Sequence, residues 1–321
     1  MSLQIRSLSV TYGNHAALAD VDLDVAQGER FAVMGPSGAG KSTLLRVLAG
    51  LEAPSTGAVV VNGEDVTSMP AHERPVGLMF QDNALFPHMS VLDNVAYGLR
   101  MQGMSKELRA ERAEALLDLV SLAGFEDRNP TSLSGGEQQR VALARTLAPG
   151  PSLVLFDEPL GAIDQTLKDD LLAELMSIVR EVGTTSVYVT HDRIEAETFA
   201  DHMAILRAGR VVAEGTPMSI WQHPHTAFVA SFIGHRNVVN GMPLGLHDGP
   251  VAIPPTAVVE DPAGMPARVV ARTFRDGTYE LTMEVEGQKI VMAESNEAAE
   301  GSLIGIAIDT SKVLRLLADE V

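Results

Sequence analysis

The sequence predicts an α/β fold with a mostly parallel sheet at its core, followed by a small all-β domain. Three observations carry this reading. Short, continuous apolar runs, RFAVM at 30–34, LVLF at 153–156 and SVYV at 186–189, suit strands covered on both faces. Stretches with a helical period lie between them, and strands alternating with helices make an α/β fold. After about residue 235 the helical pattern stops, and proline-rich and then strand-like sequence follows.

Taken in order, the chain opens with Leu3, Ile5, Leu8 and Val10, then Leu18, Val21, Leu23 and Val25. That near-alternation reads as half-buried strands. A helix starting at about Lys41 places Leu44, Leu45 and Leu48 on its buried face. A second helix covers 105–122, with Leu108, Ala115, Leu116 and Leu119 on one face and Lys106, Glu107, Arg109, Glu111 and Arg112 off it. A third covers 166–181, where Leu167, Leu171, Leu172, Leu175, Ile178 and Val179 follow the helical period. Between 241 and 266 stand Pro243, Pro250, Pro254, Pro255, Pro262 and Pro266, and no helix crosses them. Residues 267–294 then read as strands joined by turns at Asp276-Gly277 and Glu286-Gly287. The expected domains are 1–235 and 236–321.

A chain of 321 residues, 45% hydrophobic, can bury two cores. Its 24 Lys and Arg against 42 Asp and Glu leave a net charge of −18. Such a field repels phosphate backbones, so no nucleic-acid partner is expected. A local anion site built from backbone amides and one lysine is not excluded. The absence of cysteine removes disulfides, thiolate chemistry and Cys-ligated zinc. The opening MSLQIRSLSV lacks the basic and long apolar regions of a signal peptide. No uncharged apolar run reaches the ~18 residues of a membrane span. A soluble, cytoplasmic protein is expected.

The segment Gly35-Pro36-Ser37-Gly38-Ala39-Gly40-Lys41-Ser42 fits G-x-x-x-x-G-K-[ST], follows the strand at 31–34 and opens a helix. That context is what a phosphate-binding P-loop requires. The amides from Gly38 to Thr43 can point at phosphate oxygens, aided by the helix N-terminus. Lys41 would reach the β- and γ-phosphates, and the Ser42 hydroxyl would ligate Mg²⁺. Asp157-Glu158 closes the apolar run LVLF. Paired carboxylates at the end of a buried strand are costly unless a cation or proton is used there. Asp157 suits a Mg²⁺ shell and Glu158 suits polarising a water for attack on the γ-phosphate. A helix N-cap followed by Pro159 accounts for the same two residues, and the P-loop upstream tips the balance to chemistry.

Leu133-Ser134-Gly135-Gly136-Glu137-Gln138-Gln139-Arg140 precedes a helix running to about Leu147. Ser-Gly-Gly opening a helix makes a second anion site, although Ser134 with Glu137 three residues on also reads as a capping box. One triphosphate rarely needs two such sites in one chain, unless they serve different molecules. LSGGEQQR resembles the signature of the ATP-binding-cassette ATPases, and the likeness covers about 1–235. Lys41 lies 40 residues before Gln81 and 93 before Ser134, and Asp157 lies 34 before His191, in the family's order.

The resemblance implies a P-loop NTPase cassette, with a helical subdomain inserted at about 85–147, that binds ATP and Mg²⁺. It implies that Tyr12 stacks on adenine and that Gln81 touches Mg²⁺ and the attacking water. His191 would contact the γ-phosphate, and Asp164 would communicate between subunits. The family more often has Ser-Ala-Leu-Asp where this chain has Gly161-Ala162-Ile163-Asp164, so Gly161 loosens that turn. Two subunits, either two copies or this chain with a paralogous ATPase, would pack head to tail. Each ATP would then lie between the P-loop of one and Ser134-Gly135-Gly136 of the other.

Residues 82–105 resemble the surface on which cassette importers receive a helix of the membrane permease. Residues 236–321 resemble the small OB-like barrels appended to importer ATPases for ferric iron, polyamines, sulfate, molybdate and maltose. The implied protein is an importer ATPase on the cytoplasmic face of the membrane, with an extracytoplasmic solute-binding protein as an indirect partner. Ferric iron or a polyamine is the expected solute. A soluble cassette ATPase not coupled to transport is the alternative; a P-loop small-molecule kinase leaves LSGGEQQR unexplained. His223 and His225 around Pro224, with His235 nearby, form a poor metal set without added carboxylates.

Overall fold

A computed structural model describes residues 1–161, 165–275, 277–294 and 298–319. The chain divides into two compact units, Met1–Pro217 and Met218–Val321. The expected boundary at 235 falls 18 residues later than this division, so two short helices belong to the second unit.

The first unit opens with β1 (Leu3–Tyr12) and β2 (His15–Val25), an antiparallel hairpin with Leu3, Ile5, Leu8, Leu18 and Val21 buried. Next come β3 (Arg30–Met34), α1 (Lys41–Leu48), β4 (Thr56–Val61), β5 (Glu64–Asp65) and β6 (Val76–Met79). The helical insertion holds α2 (Val91–Val95), α3 (Tyr97–Met101), α4 (Lys106–Leu119) and α5 (Gly135–Leu147). The unit closes with β7 (Leu153–Asp157), α6 (Gln165–Val182), β8 (Thr185–Val189), α7 (Arg193–Phe199), β9 (His202–Arg207) and β10 (Arg210–Gly215).

These strands form two sheets. One is antiparallel in the order β2-β1-β4-β5, and the other runs β10-β9-β3-β8-β7-β6. In the second sheet every pair is parallel except β10 with β9. Its central strands are the three apolar runs of the sequence, and β8 is buried at every position. On one face, α1 buries Leu44, Leu45, Val47 and Leu48, each such side chain contributing about 1.5–3 kcal/mol of transfer free energy. On the other, Phe156, Tyr188 and Phe199 meet in tilted and edge-to-face contacts as a fully buried aromatic cluster.

One expectation fails in part in α4. Leu116 and Leu119 are half-buried against the helical-subdomain core, but Leu108 is 57% exposed and Ala115 is exposed, whereas Ala113, Leu117 and Val120 are fully buried. The buried face is therefore centred on Ala113, Leu117 and Val120, with Leu116 and Leu119 at its side.

The second unit holds α8 (Pro217–Gln222), α9 (Ala227–Phe232), β11 (Asn237–Asn240), β12 (Pro250–Ile253) and β13 (Val258–Arg275). It ends with β14 (Thr278–Val285), β15 (Gln288–Glu294), β16 (Leu303–Ile308) and β17 (Leu314–Arg315). They make a three-stranded sheet, β11-β12-β17, and a four-stranded one, β15-β14-β13-β16. Buried Asn237 ties the two, donating to the Ile253 and Val291 carbonyls and accepting from the Val291 amide. Glu286-Gly287 forms the expected turn, with φ of 48° and 74°, the left-handed pair of a two-residue hairpin. Pro262 and Pro266 do not precede the strands but lie within β13, where the register shifts between Glu260 and Met265. A bulge is where a strand tolerates proline.

Candidate functional site

Four parallel strands, β3, β8, β7 and β6, end on the same edge of the sheet. Their carboxyl ends lead into the P-loop, His191, Asp157-Glu158 and Gln81 respectively. A crevice outside the carboxyl ends of such strands is the usual ligand position in α/β sheets. Topology therefore gathers residues that lie up to about 150 positions apart in the chain.

The P-loop geometry depends on its glycines. A Cβ on Gly40 would stand 2.4 Å from the Ala17 carbonyl oxygen, at a φ of 104°. A Cβ on Gly35 would stand 2.4 Å from the Leu206 carbonyl oxygen. Only glycine permits these approaches. Lys41 is 7% exposed, and its Nζ donates to the Gly35 and Pro36 carbonyls at 2.7 and 3.1 Å. An ammonium has three donors, so one remains for another acceptor. Burial holds the Lys41 ammonium below the ordinary lysine range, against the pull of Glu158 and Asp157. Tyr12 and His15, paired at the tip of the β1–β2 hairpin, line one open depression with Ala17 and Gly38–Thr43. The structure thus brings Tyr12 to the P-loop.

Asp157 pairs in register with Val189, and the Glu158 amide donates to the Val189 carbonyl at 2.9 Å. That link sets the two carboxylates beside the loop of His191. Burial, and then the Glu158 charge, pushes the Asp157 carboxyl above the ordinary range, with Arg46 and Lys41 opposing. Glu158 holds a left-handed backbone, φ 43°, and its Oε2 lies 3.0 Å from His191 Nδ1. Gln81 is exposed, and its amide nitrogen stands 2.9 Å from where a Cβ on Gly161 would be. A side chain at position 161 would therefore press on the Gln81 amide. Asp164 falls outside the described residues.

Ser134, Gly135 and Gly136 open α5, and among the described residues they do not line the depression holding Tyr12 and Lys41. Both readings of Ser134 meet here, because the capping box is real. Glu137 Oε2 accepts from the Ser134 amide at 2.7 Å and hydroxyl at 2.8 Å, which holds its carboxyl below the ordinary range. The glycines behave unlike those of the P-loop. Among the described residues, a Cβ on Gly135 would meet nothing within 4 Å, and one on Gly136 only the Leu171 methyls at 3.6 and 3.8 Å.

Several supporting residues gave no signal in the sequence. Arg74, 7% exposed, donates to the Val47 and Leu48 carbonyls at 2.6 and 2.9 Å, closing the C-terminal end of α1. Arg145 on α5 donates to the Asn83 and Ala84 carbonyls, both at 2.7 Å. It thereby holds two consecutive left-handed residues just after Gln81. Neither carries a motif, because each acts through carbonyls distant in sequence. In the second unit, His235 stacks on Trp221 with ring centroids 4.4 Å apart. Among the described residues no His, Asp and Glu group of three is set to hold a metal.

The family described as "ABC transporter" matches residues 18–161. Over 98% of both chains the sequence is 44% identical to a Streptomyces avermitilis protein, "Fe(3+) ions import ATP-binding protein FbpC". It is 47% identical to the Escherichia coli "Putrescine transport ATP-binding protein PotG", over 75% of this chain and 64% of that one. Among solved structures, the dimeric MJ0796, a bacterial ABC transporter cassette, matches 67% of this chain and 98% of its own, with a TM-score of 0.59 and 33% identity. Sheet, P-loop, signature helix and relatives agree: the chain belongs to the ATP-binding-cassette transporter family, as an ATPase subunit of the importer type.

Proposed function

We propose that two copies of this chain hydrolyse ATP at composite sites, each made of one copy's P-loop and the other's Ser134-Gly135-Gly136. The pair of signature glycines carries this reading. Glycine costs a helix up to about 1 kcal/mol relative to alanine, and among the described residues nothing requires it at 135 or 136. Close approach by a molecule from outside gives the glycines a purpose, and the helix N-terminus favours an anion. A pairing with a paralogous ATPase would leave the same argument in place.

In this reading the amides of Gly38–Thr43 and the Lys41 ammonium hold the phosphates, and Tyr12 stacks on the base. Ser42, Asp157 and Gln81 offer oxygen donors, and Asp157 is a carboxylate whose burial beside Glu158 calls for a cation. They fit Mg²⁺, which would neutralise charge on the phosphate oxygens. Glu158 accepts a proton as the water oxygen bonds to the γ-phosphorus and the bond to ADP breaks. His191 holds the Glu158 carboxylate in place and faces the γ-phosphate. Asp164 communicates with the partner subunit.

The transport partner is a membrane permease docking on residues 82–105, which places the protein on the cytoplasmic face of the membrane. Among the described residues no helix is long and apolar enough to cross a bilayer. An extracytoplasmic binding protein would deliver the solute. Among relatives that match nearly the whole chain, the Streptomyces avermitilis Fe(3+) import protein is 44% identical over 98% of it, whereas a Bacteroides fragilis spermidine/putrescine import protein is 36% identical over 95%. Ferric iron is therefore favoured over a polyamine, and residues 236–321 serve as an accessory domain supporting the dimer.

Mixing tests the composite site. Lys41→Ala and Ser134→Arg chains, each inactive alone, should regain ATPase activity together, because half of the sites in a mixed dimer carry neither defect. Mixed dimers that form and stay inactive at every ratio would defeat the model of two independent shared sites.

A further inference from the structure

Behind His191 lies a buried polar cluster that the proposed reaction leaves unused. Glu195 on α7 is 5% exposed. Its Oε2 accepts from the Thr190 hydroxyl at 2.8 Å and the Tyr188 hydroxyl at 3.1 Å, and its Oε1 accepts from the Lys168 ammonium at 2.9 Å. The cluster continues into the next residues. The Asp192 amide donates to the Thr190 hydroxyl at 2.9 Å, and Asp192 Oδ1 caps α7 by accepting from the Ile194 amide at 2.8 Å.

A buried carboxylate carries a large desolvation penalty, and an apolar residue of similar volume often serves stability as well or better. What an ion pair between elements supplies is a fixed relative position. Here the elements are informative. Lys168 lies on α6, whose first residue follows the loop that leaves Glu158. Glu195 grips both chain neighbours of His191: Thr190 directly, and Asp192 through Thr190. The Thr190 amide also donates to the Val33 carbonyl at 3.2 Å, tying the loop to the strand that feeds the P-loop. His191 itself is 62% exposed at its side chain, so packing of the imidazole does little to fix its position.

We infer that Glu195 and Lys168 form a positioning pair that fixes residues 190–192 against α6, so that His191 is presented to Glu158. This rests on the roles proposed above for Glu158 and His191. Neither Glu195 nor Lys168 touches the reacting atoms; their effect passes through the histidine.

Glu195→Gln keeps the shape and one carbonyl acceptor for the hydroxyls but loses the charge that holds Lys168. Lys168→Met keeps the apolar stem and loses the cation. Each should lower kcat about tenfold or more while changing the KM for MgATP less than about twofold. The double variant should be no slower than the slower single, because both break one interaction. In single-turnover assays, Glu195→Gln should add nothing on a His191→Ala background. An unchanged kcat overturns the inference, as does an effect that multiplies with His191→Ala. A kcat loss that merely follows a loss of folded protein, read from Tm, also overturns it. Should Glu195→Gln fail to fold, Lys168→Met at the cluster's edge carries the same test. Glu158→Gln run in parallel separates the two levels: if it still hydrolyses ATP, the reading of the site has failed rather than the positioning pair.

Discussion

Two segments of the cassette open helices with glycines, and the surrounding chain treats them in opposite ways. At the P-loop, Gly35 and Gly40 are demanded from within, with backbone carbonyls of Leu206 and Ala17 filling the space a Cβ would take. At the signature, among the described residues, Gly135 faces nothing within 4 Å and Gly136 only two leucine methyls at ordinary contact distance. The first is a finished cradle, complete with its own lysine. The second is well made as a helix start, with a capping box, yet its glycines serve no contact among the described residues. A glycine explained by internal packing marks a self-sufficient site, and one left unexplained marks a surface shaped for another molecule.

The largest effect separating the two segments is expected at Gly40. Gly40→Ala places a methyl 2.4 Å from the Ala17 carbonyl oxygen and 2.8 Å from Cδ2 of fully buried Leu18, at a φ that alanine avoids, and the backbone carbonyl cannot swing aside. A loss on the order of 3 kcal/mol or more follows, with nucleotide binding lost as well. Thermal unfolding and fluorescent-nucleotide titration would read both. A variant as stable as the parent would remove the steric argument for the P-loop.

Glu158→Gln comes next, and acts on rate rather than on fold. The amide keeps its volume and its place on the left-handed backbone, but it cannot accept the water's proton. ATPase activity should fall below about a tenth of the parent, at least ~1.4 kcal/mol in activation free energy. ATP binding should persist, and an ATP-bound dimer should elute at twice the monomer mass. Hydrolysis retained above that level would count against Glu158 as the base.

At the signature the sign reverses. Gly136→Ala should stabilise the isolated chain by up to about 1 kcal/mol, since alanine is the better helix former and has room. The same methyl would intrude on the partner's nucleotide, so ATPase activity should drop while ATP binding by the monomer holds. A variant both stabler and fully active would break the comparison, because the glycine would then have no purpose on either side.

How much of this was legible in the sequence depends on how local the cause is. The three core strands, the P-loop and LSGGEQQR are contiguous, and their spacing survives without knowledge of the fold. The hairpin turn at Glu286-Gly287 is likewise set by two residues. In α4 the sequence places Leu116 and Leu119 on the core side, where they are half-buried, but the fully buried centre of the face, Ala113, Leu117 and Val120, is set by packing that the helical period alone does not specify. The passage of β13 through Pro262 and Pro266 needed a bulge that no propensity announces. Arg74, Arg145 and Glu195 were invisible for a shared reason. Each is a single charged residue whose partners come from elsewhere in the chain, and a lone Glu three residues past Asp192 reads as a helix's first turn.

The smallest effect concerns the proposed docking surface, where the structure divides residues that look alike in sequence. Leu85, Phe86, Pro87, Met89 and Val91 form an apolar stretch expected to stay partly exposed for a permease helix. Val91 is fully buried in the helical subdomain, which removes it from that surface. Phe86 is half-buried, its ring 4.7 Å from Tyr97, while buried Asn94 bonds both its amide and its carbonyl. Pro87 is exposed, and its carbonyl accepts from Asn129 at 3.3 Å, a bond that does not depend on its side chain. Phe86→Asp should therefore destabilise the chain by about 1–3 kcal/mol, as burying an unpaired charge among aromatics does, and its ATPase loss would be uninformative about docking. Pro87→Asp leaves the aromatic pair intact and should shift stability by less than about 0.5 kcal/mol. Its basal ATPase should match the parent, while co-sedimentation with membranes carrying the cognate permease should fall. Melting temperature, ATPase rate and co-sedimentation on the two variants separate packing from docking. A Pro87→Asp chain that still sediments with the permease would move the contact away from this loop, to the exposed residues of α3 or α4.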